Sequence, residues 1–225
     1  MLRPFALILT VAGLLAGPGA GDAFAQAKPR PRPRPQQAIE VGGFATFGNI
    51  NFTAADSFDV ILGSPSGVIF GGGIRLVDPP TGFFIDVGGW WFQDDGERVF
   101  ISEGEEFRLG IPVKVRLTPI ELTAGWRPRF RAAPRVLPYV GGGYTSFGYK
   151  ETSTFATDAE NVDERFHGYH VLGGLEIRVL RWLGVAGEAA WTTVPKAIGE
   201  SGVSAVFGET DLGGTSFRVR LTFGQ

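Results

Sequence analysis

Within the segment near the end of this chain, residues 213–223, the side chains from Ser216 to Phe223 alternate strictly between polar and apolar. In a β-strand such alternation places the two sets on opposite faces of the sheet. The apolar set is Phe217, Val219, Leu221 and Phe223, and the polar set includes Arg218 and Arg220. A strand with one apolar and one cationic face fits two architectures: a soluble sandwich with its polar face in water, or a membrane-spanning barrel with its polar face in the lumen.

From Ile39 onward the chain shows no sustained helical period. It shows eight runs of aromatic and β-branched residues separated by Gly, Pro and Asp, which is the pattern of strands. These runs are residues 39–52, 66–77, 82–93, 107–129, 135–150, 165–180, 182–194 and 213–223. Most exceed the roughly 9 to 11 residues with which a tilted strand crosses a bilayer. The even number of runs fits an antiparallel barrel.

The connections between the runs alternate in length. The short ones are 78–81, 130–134 and the junction at Arg181, and the long polar ones are 53–65, 94–106, 151–164 and 195–212. A soluble sandwich has no reason to sort its connections in this way, whereas outer-membrane barrels do. We therefore predict an all-β fold: an eight-stranded antiparallel up-and-down transmembrane β-barrel with short periplasmic turns and long extracellular loops.

Charge is sorted in the same sense as connection length. The segments 53–65, 93–106, 150–165 and 195–213 contain sixteen acidic and four basic residues. Acidic loops of this kind are usually only solvated; a functional alternative is divalent-cation bridging to lipopolysaccharide, or capture of a cationic partner. The net charge of −2 excludes a generally basic protein that coats nucleic acid.

The first 38 residues have a different composition. Arg3, a 12-residue apolar run over 5–16, and Ala23-Phe24-Ala25 follow the order of a secretory signal peptide, which predicts cleavage after residue 25. The alternative is an uncleaved anchor. Residues 26–38 include the alternating Lys/Arg-Pro run from Lys28 to Pro35, which favours an extended tether: a solvated spacer, or a contact to an anionic partner. The barrel domain is predicted over 39–225, without cysteine for disulfides.

If the apolar face meets lipid, the opposite positions line the lumen, and ions there must be paired because isolated burial costs several kcal/mol. The predicted lumen ions are Glu40, Arg75, Asp86, Lys114, Arg116, Glu121, Arg127, Glu176, Arg178, Glu188, Arg218 and Arg220. Lys114 and Arg116 belong to this set only if a bulge at Thr118-Pro119 corrects the phase of the fourth strand. We expect Arg218 and Arg220 to pair with Glu188 and Glu40. An eight-stranded barrel is too narrow for a wide diffusion pore.

Aromatic residues gather toward the strand ends, which predicts two girdles at the membrane interfaces. The predicted girdle residues are Phe83, Trp126, Tyr139 and Trp182 on the periplasmic side, and Trp91, Tyr149 and Trp191 on the outer side.

Two sets of motifs resemble a known group of proteins. The closing Phe-Arg-Val-Arg-Leu-Thr-Phe is similar to the C-terminal strand signal read by the bacterial barrel-assembly machinery. Pro138-Tyr139-Val140-Gly141-Gly142-Gly143, with Leu117-Thr118-Pro119, resembles small outer-membrane barrels of the OmpA/OmpW-like superfamily, over Ile39 to Phe223. The resemblance implies a bacterial outer-membrane location, contact with outer-membrane lipid and lipopolysaccharide, and assembly by that machinery.

The leading functional hypothesis is a non-enzymatic, monomeric barrel without a cofactor or metal, with a structural or surface-interaction role. One alternative is an OmpW-like channel for small hydrophobic molecules or small ions, with Ile69, Phe166 and Leu172 as lining. A barrel-type lipid A modifying enzyme is less well supported: its catalytic set needs a histidine, and the two histidines, His167 and His170, lie three residues apart and so on opposite faces of a strand. They cannot share one site or one metal.

Overall fold

The computed structural model describes residues 39–102, 105–153, 161–200 and 202–224. The predicted signal peptide and tether lie outside these residues. The elements in chain order are β1 (Glu40–Phe52), α1 (Ala55–Leu62), β2 (Ser66–Val77), β3 (Phe83–Ser102), β4 (Glu105–Trp126), β5 (Val136–Thr152), β6 (Val162–Arg178), β7 (Leu183–Thr193), α2 (Gly202–Phe207) and β8 (Gly214–Phe223). Within the described part of the chain, no helix has the length and apolar character needed to cross a membrane.

The eight strands form one closed antiparallel sheet. Each strand pairs with the next along the chain, and β8 closes the ring by pairing with β1 from Gly43 opposite Phe223 to Phe52 opposite Gly214. Closure leaves no unpaired sheet edge over the length of the barrel wall. The predicted eight-stranded antiparallel up-and-down barrel is confirmed.

Alternation along the strands sorts the side chains between lumen and exterior. In β8 every second residue is buried, so that Arg218 and Arg220 point inward while Phe217, Val219 and Leu221 remain exposed on the outside. The same in-out pattern holds in β2, β6 and β7. The barrel thus carries charge inside and apolar side chains outside, the reverse of a water-soluble protein.

The structure of the fourth strand, β4, contradicts one prediction. No bulge occurs at Thr118-Pro119, because the pairing with β5 runs without a shift from Leu117 to Ile120. The irregularity lies instead between Glu97 and Val99, in the β3–β4 pair. In this unbroken phase, Val113, Val115 and Leu117 are buried inside the barrel, and Lys114 and Arg116 point outward. The apolar side chains turn inward here because this end of the lumen is itself apolar.

The two ends of the barrel differ in their connections. The end with residues 53–65 and 194–213, which contain α1 and α2, is called the long-loop end; the end with 78–82 and 179–182 is the short-turn end. The predicted loop 94–106 is mostly a hairpin, since β3 and β4 continue to Ser102 and Glu105. The predicted short turn at 130–134 spans residues 127–135.

Two apolar clusters fill the lumen on either side of polar groups. The larger, the mouth cluster, lies at the long-loop end; its buried members are Ile50, Phe52, Ala54, Phe58, Ile69, Trp90, Phe92, Val113, Val115, Leu117, Phe147, Val194, Ala197 and Leu212. The smaller, the lower cluster, consists of Val77, Phe84, Tyr139, Leu172, Ala186 and Ala190. Side chains therefore occupy the interior, as expected for eight strands.

Candidate functional site: a charged lumen with a plugged mouth

The two inward arginines of β8 are the centre of a buried ion network. Arg218 Nη1 lies 3.0 Å from Glu121 Oε2 across the lumen and 3.7 Å from Glu188 Oε1. Arg220 Nη1 lies 2.8 Å from Asp86 Oδ2, and its Nη2 lies 2.9 Å from Glu188 Oε2. All five side chains are buried. Each arginine therefore bridges two carboxylates, which offsets the cost of removing the charges from water.

Arg75 extends the network toward the short-turn end. Its Nε and Nη2 both donate to Asp86 at 2.7 Å, in the two-pronged geometry that guanidinium and carboxylate favour. Its Nη1 lies 3.7 Å from Glu176, which in turn lies 3.4 Å from Arg127. The guanidinium carbon of Arg75 also lies 4.4 Å from the centre of the Phe84 ring, a favourable cation–π contact.

Glu40 closes the network at the short-turn end instead of pairing with β8, and the prediction of Glu40 as a partner of Arg218 or Arg220 is wrong. Its carboxylate lies 2.8 Å from Arg129 and 4.0 Å from Arg178. Arg218 and Arg220 pair in register with Gly48 and Thr46, well along β1 from Glu40. The stagger between adjacent strands, which fixes this distance, cannot be read from alternation alone.

Neutral side chains add hydrogen bonds to the carboxylates of this layer. Trp90 Nε1 donates to Glu121 Oε1 at 2.7 Å, and Tyr139 Oη donates to Glu188 Oε2 at 3.0 Å. The buried ring of His170 lies between two threonine hydroxyls, with Nε2 2.8 Å from Thr123 Oγ1 and Nδ1 2.7 Å from Thr145 Oγ1. Both ring nitrogens are thus occupied, which suits a structural histidine.

Ten of the twelve predicted lumen ions point inward. They are the carboxylates of Glu40, Asp86, Glu121, Glu176 and Glu188, and the guanidiniums of Arg75, Arg127, Arg178, Arg218 and Arg220. With Lys114 and Arg116 on the outside, this set contains five acids and five bases. This set therefore has no surplus of positive charge; Arg129, which also pairs with Glu40, lies at the partly exposed end of the network.

Little open space remains within this layer. A cavity of about 10 Å³ is lined by residues that include Phe44, Trp90, Glu121 and Arg220. This is about the room that the centre of one water molecule needs. At this level of the described lumen, the cavity has room for one trapped water molecule.

The mouth of the lumen is covered by a plug made of α1 and the 194–213 connection. Phe58 of α1 stacks on Phe52 of β1 with ring centres 3.9 Å apart. Glu209, from the 194–213 connection, accepts hydrogen bonds from Asp56 N at 3.1 Å and Ser57 N at 2.9 Å, so its carboxylate caps the first turn of α1. Two loops from opposite ends of the sequence are thereby tied together.

The plug was not predicted from the sequence, although a signal for it exists. Residues Phe58, Ile61 and Leu62 follow the i, i+3, i+4 spacing of an amphipathic helix within the predicted loop 53–65. That spacing covers only two turns, which is too short to be distinctive without its partner. The partner, Glu209, is more than 150 residues away in sequence.

Five of the seven predicted girdle residues lie on the outer wall and are about half exposed: Phe83, Trp91, Trp126, Trp182 and Trp191. Phe83 and Trp91 lie eight residues apart on β3, about 26 Å along the strand. The girdle prediction was wrong for Tyr139 and Tyr149, because both side chains point from β5 into the lumen. Their hydroxyls bond Glu188 and Glu151, partners that an aromatic pattern does not reveal.

Fold and site together define a closed barrel with a charged, filled interior and an apolar exterior. No model of a known protein family matches the chain, and no curated protein matches it either. Solved structures give likenesses of low identity.

Three of these solved structures illustrate the likeness. Neisserial surface protein A is 12% identical over 83% of this chain and 97% of that chain, with a TM-score of 0.49. The N-terminal β-barrel domain of Pseudomonas aeruginosa OprF is 11% identical over 83% and 100%, with a TM-score of 0.44. A major outer membrane protein from Thermus thermophilus is 11% identical over 81% and 98%, with a TM-score of 0.47.

Proposed function

We propose that this chain is an integral β-barrel protein of the bacterial outer membrane, non-enzymatic and closed, with a structural or surface-interaction role at its long-loop end. The observation that supports the proposal best is the inverted distribution of side chains. Phe217 and Val219 are 61% and 54% exposed while Arg218 between them is 4% exposed. An apolar solvent makes that arrangement favourable, and a closed sheet satisfies its backbone hydrogen bonds there.

The outer wall supports a membrane location in a second way. Exposed apolar side chains continue around the barrel on every strand, for example Phe47, Phe70, Leu122, Val171 and Trp191. A soluble monomer rarely exposes an apolar patch above a few hundred Å². The half-exposed aromatic residues at both margins are those that favour the interface between lipid and water.

The proposed partners follow from this location. Lipid and lipopolysaccharide would contact the outer wall, and the barrel-assembly machinery would read the apolar positions of β8. The acidic long-loop end would face the outside of the cell, and the ring closed by β1 and β8 supports a monomer, since it needs no second chain. The short-turn end would then face the periplasm.

Heat-modifiable migration tests the barrel proposal. Folded barrels of this type resist detergent, so unboiled chain should migrate faster than boiled chain on a cold SDS gel, and it should stay in the membrane fraction after carbonate extraction. Identical migration of both samples, together with release by carbonate, would contradict membrane integration.

A passage for small hydrophobic molecules has weaker support. Of its predicted lining, Ile69 and Phe166 do lie in or against the mouth cluster, but Leu172 belongs to the separate lower cluster. The salt-bridged side chains of Arg218 and Arg220 share the lumen with both clusters. A lipid A modifying enzyme is also weakly supported, because His170 is engaged on both ring nitrogens and His167 lies on the outer wall.

A further inference from the structure

A cluster of cations lies on the outer wall, where the apolar band ends toward the long-loop end. It consists of Arg116 on β4, Lys150 on β5 and Arg165 on β6, all pointing outward, and we call it the basic patch. In register, Arg116 lies opposite Lys150, and Arg165 lies opposite Gly148, two residues from Lys150. The three charges therefore share one small area on three neighbouring strands.

The floor of the basic patch is made of small residues. A Cβ atom at Gly148 would lie 2.6 Å from Thr118 Oγ1 and 3.8 Å from Arg165 Nη2, so Thr118 packs against this glycine and leaves no room for a larger residue beneath the guanidinium. Arg165 Nη1 donates to Ser146 Oγ at 3.2 Å, which holds the guanidinium along the wall. This part of the wall therefore carries the guanidinium of Arg165 beside the hydroxyl groups of Thr118 and Ser146.

The charges of the basic patch are only partly neutralised. Lys150 Nζ lies 2.8 Å from Asp163 Oδ2. Over the described ranges, Arg116 and Arg165 form no salt bridge; Arg116 donates instead to the neutral Gln93 Oε1, at 2.9 and 3.1 Å. Two guanidiniums thus keep their positive charge and several donors for a ligand, in contrast to the fully paired arginines of β8.

The wall directly beside the basic patch is apolar. The guanidinium carbon of Arg116 lies 5.2 Å from the centre of the Trp91 ring, and Tyr144 and Tyr169 form an edge-to-face pair on β5 and β6. Ile120 and Leu122 continue this surface along β4 toward the short-turn end. The combined surface is amphipathic, with cations at the margin and lipid-facing side chains beside them.

We propose that the basic patch binds the phosphate group of a phosphorylated outer-leaflet lipid such as lipopolysaccharide, with the acyl chains of that lipid lying along Ile120 and Leu122. This inference rests on the proposed function, because it needs the long-loop end to face the outer leaflet. Charge complementarity supports the choice: guanidinium groups match phosphate oxygens in pairs. The acidic loops elsewhere at this end repel an anion, which confines it to the patch.

The test compares two double variants with equal changes in charge. Arg116→Ala/Arg165→Ala removes two cations of the patch, and Arg131→Ala/Arg135→Ala removes two exposed cations at the short-turn end. The folded chains, in phosphatidylcholine nanodiscs, are titrated with lipopolysaccharide. We expect the patch variant to lose affinity about tenfold or more, since charge-assisted hydrogen bonds are lost, and the control to bind as wild type does. Arg116→Lys/Arg165→Lys should be intermediate.

Further arms identify the ligand chemistry. With lipid A from which the phosphates have been removed, wild type and patch variant should bind equally weakly. Equal affinity of the two alanine variants for lipopolysaccharide would overturn the proposal. So would binding of inorganic phosphate alone as tightly as of lipopolysaccharide, because the ligand would then be a free anion. Abolition of binding by EDTA would also overturn it, because the lipid would then be held by a divalent bridge to acidic loops. Heat-modifiable migration checks each variant's fold, and its failure in wild type would instead contradict the barrel proposal.

Discussion

Glu188 receives hydrogen bonds or ion pairs from two strands: Arg218 and Arg220 on β8, and Tyr139 on β5. A carboxylate shared in this way couples residues that are far apart in sequence. Removing it leaves positive charge buried with fewer partners, which costs more than the loss of one hydrogen bond. The lumen network is therefore sensitive to single changes that keep size and shape.

The first prediction concerns this carboxylate. Glu188→Gln keeps the volume but removes the charge that faces two arginines, so the free energy of unfolding should fall by about 3 to 5 kcal/mol. Urea unfolding in lipid vesicles, followed by tryptophan fluorescence, measures it. Asp95→Asn, which breaks the exposed pair with Lys114, should change stability by about 0 to 1 kcal/mol. Equal losses in both variants would show that burial of the pairs does not matter.

The second prediction concerns a glycine that lets two strands approach. A Cβ at Gly143 would overlap Leu122 O, whereas a Cβ at Gly187 would meet no atom within 4 Å. Gly143→Ala should therefore destabilise the barrel by about 1 to 3 kcal/mol, as overpacking does. Gly187→Ala should leave the urea midpoint nearly unchanged. Unfolding of the two alanine variants at the same urea concentration would contradict this prediction.

At the scale of elements, α1 is a short helix whose position depends on other parts of the chain. Phe58 packs into the mouth cluster, Gly96 of the β3–β4 hairpin lets the helix backbone come close at Ile61, and Glu209 caps its first turn. An eight-residue helix is marginal by itself. The plug is thus the part of the lumen that can lose order without opening the sheet.

The third prediction is that Glu209→Ala loosens the plug locally. Losing the cap should lower the local stability of α1 by about 1 to 2 kcal/mol, so amide hydrogen exchange in residues 55–62 should be about tenfold faster. The heat-modifiable migration of the barrel should stay as in wild type. Glu200→Ala, an exposed acid in the same connection, serves as the control. An unchanged rate of amide hydrogen exchange in Glu209→Ala would show that Glu209 does not stabilise α1 as a cap.

The sequence was sufficient to predict the strands whose two faces meet different surroundings, because those surroundings enforce an alternating pattern. β8, β7, β6 and β2 each separate an apolar outer face from an inner face that carries the buried charges, and their side-chain orientation was predicted correctly. The fourth strand was predicted wrongly because its inward side changes from apolar at Val115 to charged at Glu121. That change follows from the plug above it. A property set by a distant helix has no local signature.

At the scale of the whole molecule, the lumen has two successive barriers: the mouth plug and the ion network. Salt bridges between Arg218, Glu121 and Glu188 hold side chains from β8, β4 and β7 together across the interior. The small cavity among them has room for about one water molecule. A continuous aqueous path is therefore not expected through this barrel.

The fourth prediction is that the folded chain does not conduct. In planar bilayers, the wild type should show no steady channel conductance in potassium chloride, and Phe58→Ala should behave in the same way because the ion network stays intact. Liposome swelling with small sugars should also be at the level of empty vesicles. Stable unitary conductance in wild type would contradict the closed lumen and revive the small-ion channel as a hypothesis.

Because β8 closes the ring, its pairing with β1 and β7 also completes the ion network of the lumen. Within the described chain, Glu121 and Glu188 have their salt bridges only with Arg218 and Arg220. An open seven-stranded sheet would therefore hold two carboxylates without counter-ions, facing a space that is about to lose its water. Docking of β8 completes the backbone ladder and the charge balance in one event. We therefore expect an assembly intermediate that lacks this strand to stay hydrated inside until the ring closes.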